Sequence, residues 1–307
     1  MDHADARYLE SKRTVDARAR NRRVRDRLLA DLPSRPDVAE VGAGTGSFVP
    51  TLLEWGVDAG TYRGVDRDEG VLRYALATLP DELDGSYSVG SDNPTGHDDA
   101  LGGFRVGDLD VSFAVGDLLD EDLPVEAGTA DLLVAQAVFD LVPLGPAMDA
   151  VERALRPSGL AYLPITFDGV SLFAPEHPAD DAVLDAYHAH IDDVPGRDSR
   201  AGRHLLDRLR ERDADLLAVG ASDWVVRPVD GAYPADERHF LGRILDFVAD
   251  AVGGGDADVL APADDGDGAD DGGDDADDWL ATRRRQLADA ELTYVAHQYD
   301  LLYRAPD

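Results

Sequence analysis

Cysteine is absent from this chain, which excludes disulfides, a thiol nucleophile and a thiolate metal site. Lysine is almost absent: Lys12 is the only one, and the remaining Lys/Arg positions are all arginine. No apolar run approaches the roughly 20 residues of a membrane-spanning helix, and the N-terminal stretch is charged where a secretory signal would be apolar. These absences predict a cytoplasmic protein with no membrane partner and no thiol redox role.

What is present in excess is acid. Asp and Glu number 63 against 29 Lys and Arg, a formal net charge of −34. Such a field repels nucleic acid phosphates and anionic membranes, and it keeps a protein soluble where salt screens charge. The bias resembles that of proteins from extremely halophilic archaea. Because the acids are spread over the whole chain, they predict a solvated surface and no dedicated metal buffer. The chain has 307 residues, 44% of them hydrophobic, enough to build one large α/β core with insertions.

The strongest local signal is Val38-Ala39-Glu40-Val41-Gly42-Ala43-Gly44-Thr45-Gly46-Ser47-Phe48. An apolar strand tail runs into glycines at spacing two, which lets the backbone turn sharply and approach a ligand with no Cβ in the way. The helix start that follows suits an anionic group. A nicotinamide or flavin dinucleotide site would require glycine three residues after Gly44, where Ser47 stands. About 20 residues past the loop, Thr61-Tyr62-Arg63-Gly64-Val65-Asp66 reads as a strand ending in a carboxylate that can accept two ribose hydroxyls. Val111 to Leu119 reads as a third strand running into Gly116-Asp117-Leu118, and Ala130 to Leu141 begins as an apolar strand. A helical spacing from Pro146 to Leu155 precedes a fifth strand, Leu160 to Phe167.

In this order the motifs resemble class I S-adenosylmethionine-dependent methyltransferases over roughly residues 35–168. The resemblance implies a Rossmann-like, doubly wound, mostly parallel sheet of seven strands whose last strand is antiparallel, with helical cap insertions. It implies S-adenosylmethionine as cofactor, held by Glu40, Gly42, Gly44, Gly46, Asp66, Arg67, Asp117, Leu118 and Gln136. Of these, Asp66 would take the ribose, and Asp117 with the Leu118 N–H the adenine. Residues 8–21, 199–203, 220–226 and 294–298 are similar to a little-characterised subgroup from actinobacteria and haloarchaea, whose leading helix would close over the cofactor.

The rest of the chain is assigned around that domain. Residues 1–34 read as an N-terminal helical cap, and 35–307 as the methyltransferase domain with insertions at 81–110, 169–199 and 231–290. The Gly/Asp-rich stretches 81–110 and 253–278 read as solvated loops, the second as disordered. Leu216 to Val226 reads as strand six, and Leu292 to Arg304 as a final strand inserted between five and six. Helices are expected over Arg203–Asp213, Glu237–Val252 and Trp279–Ala290. Phe173, Tyr187, His188 and His190 are candidates for a wall of the substrate pocket. His188 and His190 cannot share one helical face, and no metal is assigned. His297 is the candidate general base, since imidazole titrates near neutral pH.

The expected activity is methyl transfer to a small molecule. A DNA or RNA methyltransferase would show Asn/Asp-Pro-Pro-aromatic after strand four, where this chain has Gln136-Ala137-Val138-Phe139. A non-catalytic S-adenosylmethionine-binding protein and, more remotely, an NAD(P)-dependent oxidoreductase are the alternatives.

Overall fold

Three short helices lead the chain: α1 (Ala6–Ser11), α2 (Arg13–Ala19) and α3 (Arg22–Asp31). The Asn21 side chain starts α3 by accepting the N–H groups of Arg23 and Val24 at 3.0 and 3.3 Å. The structure, a computed structural model, describes residues 5–84, 86, 89–90, 100–212, 214–253 and 272–306.

After α3 come β1 (Asp37–Val41), α4 (Phe48–Glu54), β2 (Ala59–Asp66) and α5 (Glu69–Leu83), the last capped by Asp68. Next are β3 (Val89–Gly90), β4 (Gly102–Val106), β5 (Asp108–Val115), β6 (Ala130–Val134), α6 (Leu144–Ala154) and the long β7 (Leu155–Ala174). The chain continues through α7 (Asp180–Asp193), α8 (Ala201–Glu211), β8 (Asp215–Ala221), β9 (Trp224–Val226), α9 (Glu237–Gly253), α10 (Gly272–Ala288) and β10 (Thr293–Arg304).

The strands form one sheet in the order β3-β4-β5-β2-β1-β6-β7-β10-β8, with β9 on β10. From β5 to β7 every pairing is parallel. β10 runs antiparallel to both β7 and β8, so it lies inverted beside the parallel strands β5 to β7, and at the other edge β4 is antiparallel to β5. This is the doubly wound, Rossmann-like arrangement with its antiparallel last strand. The strand order reverses between β1 and β6, the switch point where open α/β sheets bind ligands beyond the strands' carboxyl ends.

Among the described residues, three apolar clusters form the core. One packs α3, α4 and α5 on one sheet face through Leu28, Phe48, Leu52 and Leu72. A second packs α6 and α8 on the other face through Met148, Val151 and Leu205. The third joins α1, α2, α7, α9 and α10 above the far end of β10, around Tyr8, Phe240, Phe247 and Trp279. α1 and α2 thus join this cap, whereas α3 belongs to the sheet.

Several sequence-based boundaries change. Residues 81–110 are not simply a solvated loop: α5 continues to Leu83, and β4 folds back on β5 to widen the sheet, while 91–99 lie outside the described residues. Periodicity overlooked β4 because Gly102-Gly103-Phe104-Arg105-Val106 carries only two apolar side chains. Strand six divides at Ser222-Asp223 into β8 and β9, both on β10. Residues 272–278, expected to be disordered, form the start of α10; 254–271 lie outside the described residues. Strand five extends in both directions to become β7.

Candidate functional site

One cavity of about 440 Å³ lies over the switch point and extends beneath the cap. Its floor is the glycine loop. Gly42, Gly44 and Gly46 have φ of +68°, +53° and +70°, a left-handed backbone that explains the spacing of two. A Cβ on Gly42 would lie 2.6 Å from Val138 Cγ2. The Gly44 N–H donates to Asp66 Oδ2 at 2.8 Å, tying the loop to the end of β2. Gly46 does not line the cavity: its Cα faces Leu79 and Phe113, and a Cβ there would meet both at 2.8 Å. Its glycine is required for core packing, which corrects its assignment as a ligand-facing residue.

The other cofactor candidates line this cavity. Asp66 takes the Gly44 N–H on one oxygen and the Asp68 N–H at 2.9 Å on the other, which leaves a lone pair on each to accept hydroxyls. Burial raises its pKa. Arg67 stands at the rim. Asp117 Oδ1 accepts the Leu119 N–H at 2.9 Å, a turn that presents the buried Leu118 beside it. Glu40 is buried under the loop and accepts the Tyr62 hydroxyl. Burial pushes its pKa up to about 8, so it carries a proton at neutral pH.

Gln136, at the end of β6, is differently employed. Its Oε1 accepts Arg20 Nη2 and Nε at 2.7 and 3.1 Å, and its Nε2 donates to Asp16 Oδ2 at 3.0 Å. The side chain therefore anchors α2 to the sheet. Asp16 is the centre of this network: it is buried, and it also accepts Lys12 Nζ at 2.8 Å and Trp224 Nε1 at 2.8 Å. The Lys12 ammonium sits 5.7 Å from the Trp224 ring centroid. The lone lysine is thus fixed in the cavity wall. The spacing of Lys12 and Asp16 at i,i+4 was the available sequence signal, and the Trp224 and Gln136 partners, far along the chain, were not legible.

Under the cap the cavity becomes aromatic. Tyr8, Phe167, Tyr187, Trp224, Phe247 and Tyr294 line it, with Ile191 and Ile244 between them. Tyr187 comes from the segment expected to wall the pocket. His188 instead packs on Phe167 and contacts Ser171, and burial lowers its pKa. Phe173 and His190 do not line the cavity either; Phe173 is buried against Trp279 and Tyr294.

His297 is corrected by strand parity. Side chains alternate along β10, and Tyr294, Ala296 and Gln298 face the cavity. His297 points to the other side, where Nδ1 meets Asp223 Oδ1 at 2.8 Å and the ring packs edge-on to Tyr299. It is not placed to serve the cavity as a base. Two residues with strained backbone frame the chamber: Ala137 and Ile165 have φ of +52° and +59°. The Ile165 N–H is held by buried Asp300, which also accepts the Asn21 N–H and the Tyr162 hydroxyl.

Among the described residues, two buried acceptors of the cavity lining have no hydrogen-bond partner, Asp140 Oδ1 and Gln298 Oε1. Sequence reasoning gave neither a role. Among the described residues, no group of three or more His, Asp or Glu could hold a metal ion, and no helix is long and apolar enough to cross a membrane.

Residues 39–163 match a family of methyltransferase domains. No curated protein sequence matches the chain. Among solved structures, a protein of Bacillus halodurans C-125 assigned as a methyltransferase shares 12% identity, over 92% of this chain and 99% of that one, at a TM-score of 0.51. A geranyl diphosphate methyltransferase bound to S-adenosylmethionine shares 14% identity over 94% and 84% of the two chains, at 0.45. A Galdieria sulphuraria protein assigned as a sarcosine dimethylglycine methyltransferase shares 13% identity over 91% and 81%, at 0.45.

Proposed function

We propose that this S-adenosylmethionine-dependent methyltransferase acts on a small molecule by in-line transfer. The observation that carries the reading is the continuity of the cavity from the glycine loop and Asp66 into an aromatic chamber roofed by α1, α7 and α9. Its volume of about 440 Å³ falls in the range of small-ligand sites. A macromolecular acceptor would need an open, charge-complementary face, and the net charge of −34 opposes nucleic acid.

The residues fit the cofactor. The loop brings bare backbone to the cavity at Gly42 and Gly44, Asp66 keeps acceptor capacity for two hydroxyls, and Asp117 and Leu118 lie together at a third strand end. When bound, the cofactor supplies an electrophilic methyl group on a sulfonium. The chain's part is to hold the acceptor in line and exclude water, and good positioning alone can contribute about 7–11 kcal/mol to lowering a barrier. The α1–α2 cap, fixed through Asp16 and Gln136, excludes solvent from one side. The acid excess and lone lysine support a cytoplasmic enzyme of the haloarchaeal type, working in concentrated salt.

The test is calorimetric titration with S-adenosylhomocysteine in molar KCl, followed by incubation with methyl-labelled cofactor and a size-fractionated cell extract. Saturable binding and label in the small-molecule fraction are expected. Label confined to the protein or nucleic acid fraction would overturn the small-molecule reading.

A further inference from the structure

The cavity contains an ionisable group with no assigned work. Asp140 follows β6 and lines the chamber, and its Oδ1 is buried with no hydrogen-bond partner. Buried polar atoms are nearly always paired, so a partnerless carboxylate oxygen in a binding cavity calls for a donor from the ligand. Its electrostatic neighbours include two tyrosines of the cap, Tyr8 on α1 and Tyr187 on α7. Asp140 feels Lys12, Arg197 and Asp198, and its own charge acts on Tyr8 and Tyr187. At the loop end Glu40 feels Asp66, and it feels Lys12 as well. The other partnerless acceptor, Gln298 Oε1, can accept a hydrogen bond but cannot take a proton.

Resting on the small-molecule reading, we propose that Asp140 is the catalytic base and that the acceptor is an apolar, ring-sized molecule presenting one O–H or N–H group to Asp140 Oδ1. The aromatic walls take the ring body, and the carboxylate takes the single donor. As the acceptor oxygen or nitrogen forms its bond to the methyl carbon, the methyl–sulfur bond breaks and its electron pair stays on sulfur. The acceptor's proton passes to Asp140.

Burial pushes the Asp140 pKa up to about 6, opposed first by its own backbone N–H and then by the charges of Lys12 and Arg197. A group of that strength is ionised at neutral pH yet basic enough to take a proton in the transition state. The charged and titratable groups coupled to it are Lys12, Tyr8 and Tyr187, with Arg197 and Asp198 on the loop after α7. The tyrosines stay neutral because burial raises both pKa values, while the Asp140 backbone N–H and the two cations favour the charged carboxylate.

The experiment uses the full chain saturated with S-adenosylhomocysteine in molar KCl, with 4-ethylphenol and its methyl ether 4-ethylanisole as paired probes read by tryptophan fluorescence. Wild type should bind the phenol about tenfold or more tighter than the ether, since a hydrogen bond to a charged group is worth about 1.5–3 kcal/mol. Asp140→Leu should abolish that preference. Asp140→Asn, which keeps the shape, should lower kcat about 10²–10⁴-fold on any acceptor found and remove the acid limb near pH 6 from kcat/KM. No phenol preference in wild type, or Asp140→Asn with wild-type rate and acid limb, overturns the proposal. So does a tenfold loss of S-adenosylhomocysteine affinity in Asp140→Asn, which would move Asp140 to the cofactor end. If nothing small is methylated the broader reading fails, while the phenol comparison still tests Asp140.

Discussion

Asp66 combines two jobs that a single substitution would separate from those of Asp117. Both line the cavity, but Asp66 also holds the Gly44 N–H of the glycine loop, whereas the Asp117 carboxylate bonds only within its own turn. Asp66→Ala should therefore weaken S-adenosylhomocysteine binding about tenfold or more, the loss of one or two charge-assisted hydrogen bonds, and more than Asp117→Ala. Calorimetry giving equal affinities would place the ribose elsewhere. Glu40 gives a second prediction, in pH. Its folded-state pKa is raised from the ordinary 4.5 to about 8 by burial. Its contribution to stability is then fully present below pH 4.5 and is lost as pH rises through about 8. Glu40→Gln keeps an acceptor for the Tyr62 hydroxyl and cannot ionise, so its stability should exceed that of wild type above pH 8, with the gap closing toward pH 4.5. Urea denaturation at both ends measures this, and parallel pH profiles for the two proteins would refute it. At this scale the sequence also misled: His297 has the chemistry of a base, but a one-residue difference in strand parity gives the cavity to Gln298.

At the scale of elements, the N-terminal helices depend on a few polar contacts with distant parts of the chain. Asp16 gathers Lys12, Gln136 and Trp224 from α2's start, the end of β6 and β9. Its side chain is 2% exposed and that of Lys12 10%. Removing one partner of a buried pair costs about 3–5 kcal/mol, whereas replacing both by apolar groups is often neutral. Asp16→Ala should thus lower stability by about that amount, and Lys12→Met with Asp16→Leu should recover much of it. Denaturant midpoints read both, and a double variant no better than Asp16→Ala would show that the ion pair is not what anchors the cap. This contrast also explains what could be read from the sequence. The glycine loop, β2 ending in Asp66 and β5 ending in Gly-Asp-Leu are local patterns, each contained in about ten residues. The inverted β10 was accessible through resemblance to a family topology. The Asp16 network, the aromatic chamber and the Asp140 environment join residues from opposite ends of the chain, and no window of sequence contains them.

The whole molecule carries more like charge than its ion pairs can offset. Arginines are extensively engaged: Arg13 bridges Glu10 and Glu82, Arg18 meets Glu237, Arg212 joins Asp149 and Glu152, and Arg283 meets Asp180. With 63 acids against 29 Lys and Arg, more than half of the carboxylates have no basic side chain to spare for them. Their mutual repulsion opposes the compact state, and it is strongest when ions are scarce. The screening length falls from about 30 Å at 0.01 M salt to about 10 Å at 0.1 M and about 3 Å at 1 M. Repulsion between surface carboxylates on neighbouring elements should fade over that range, while the buried Lys12–Asp16 and Arg283–Asp180 pairs are screened much less. The thermal midpoint should therefore rise steeply as KCl goes from millimolar to molar. Most of the rise should come before specific salting-out effects dominate, and sucrose at matched osmolality should reproduce little of it. Replacing a set of exposed acids by asparagine and glutamine should raise the low-salt midpoint and flatten its salt dependence. A midpoint flat in KCl, or one that sucrose reproduces in full, would mean that the acid excess does not govern stability and that the fold tolerates its own charge without help from salt.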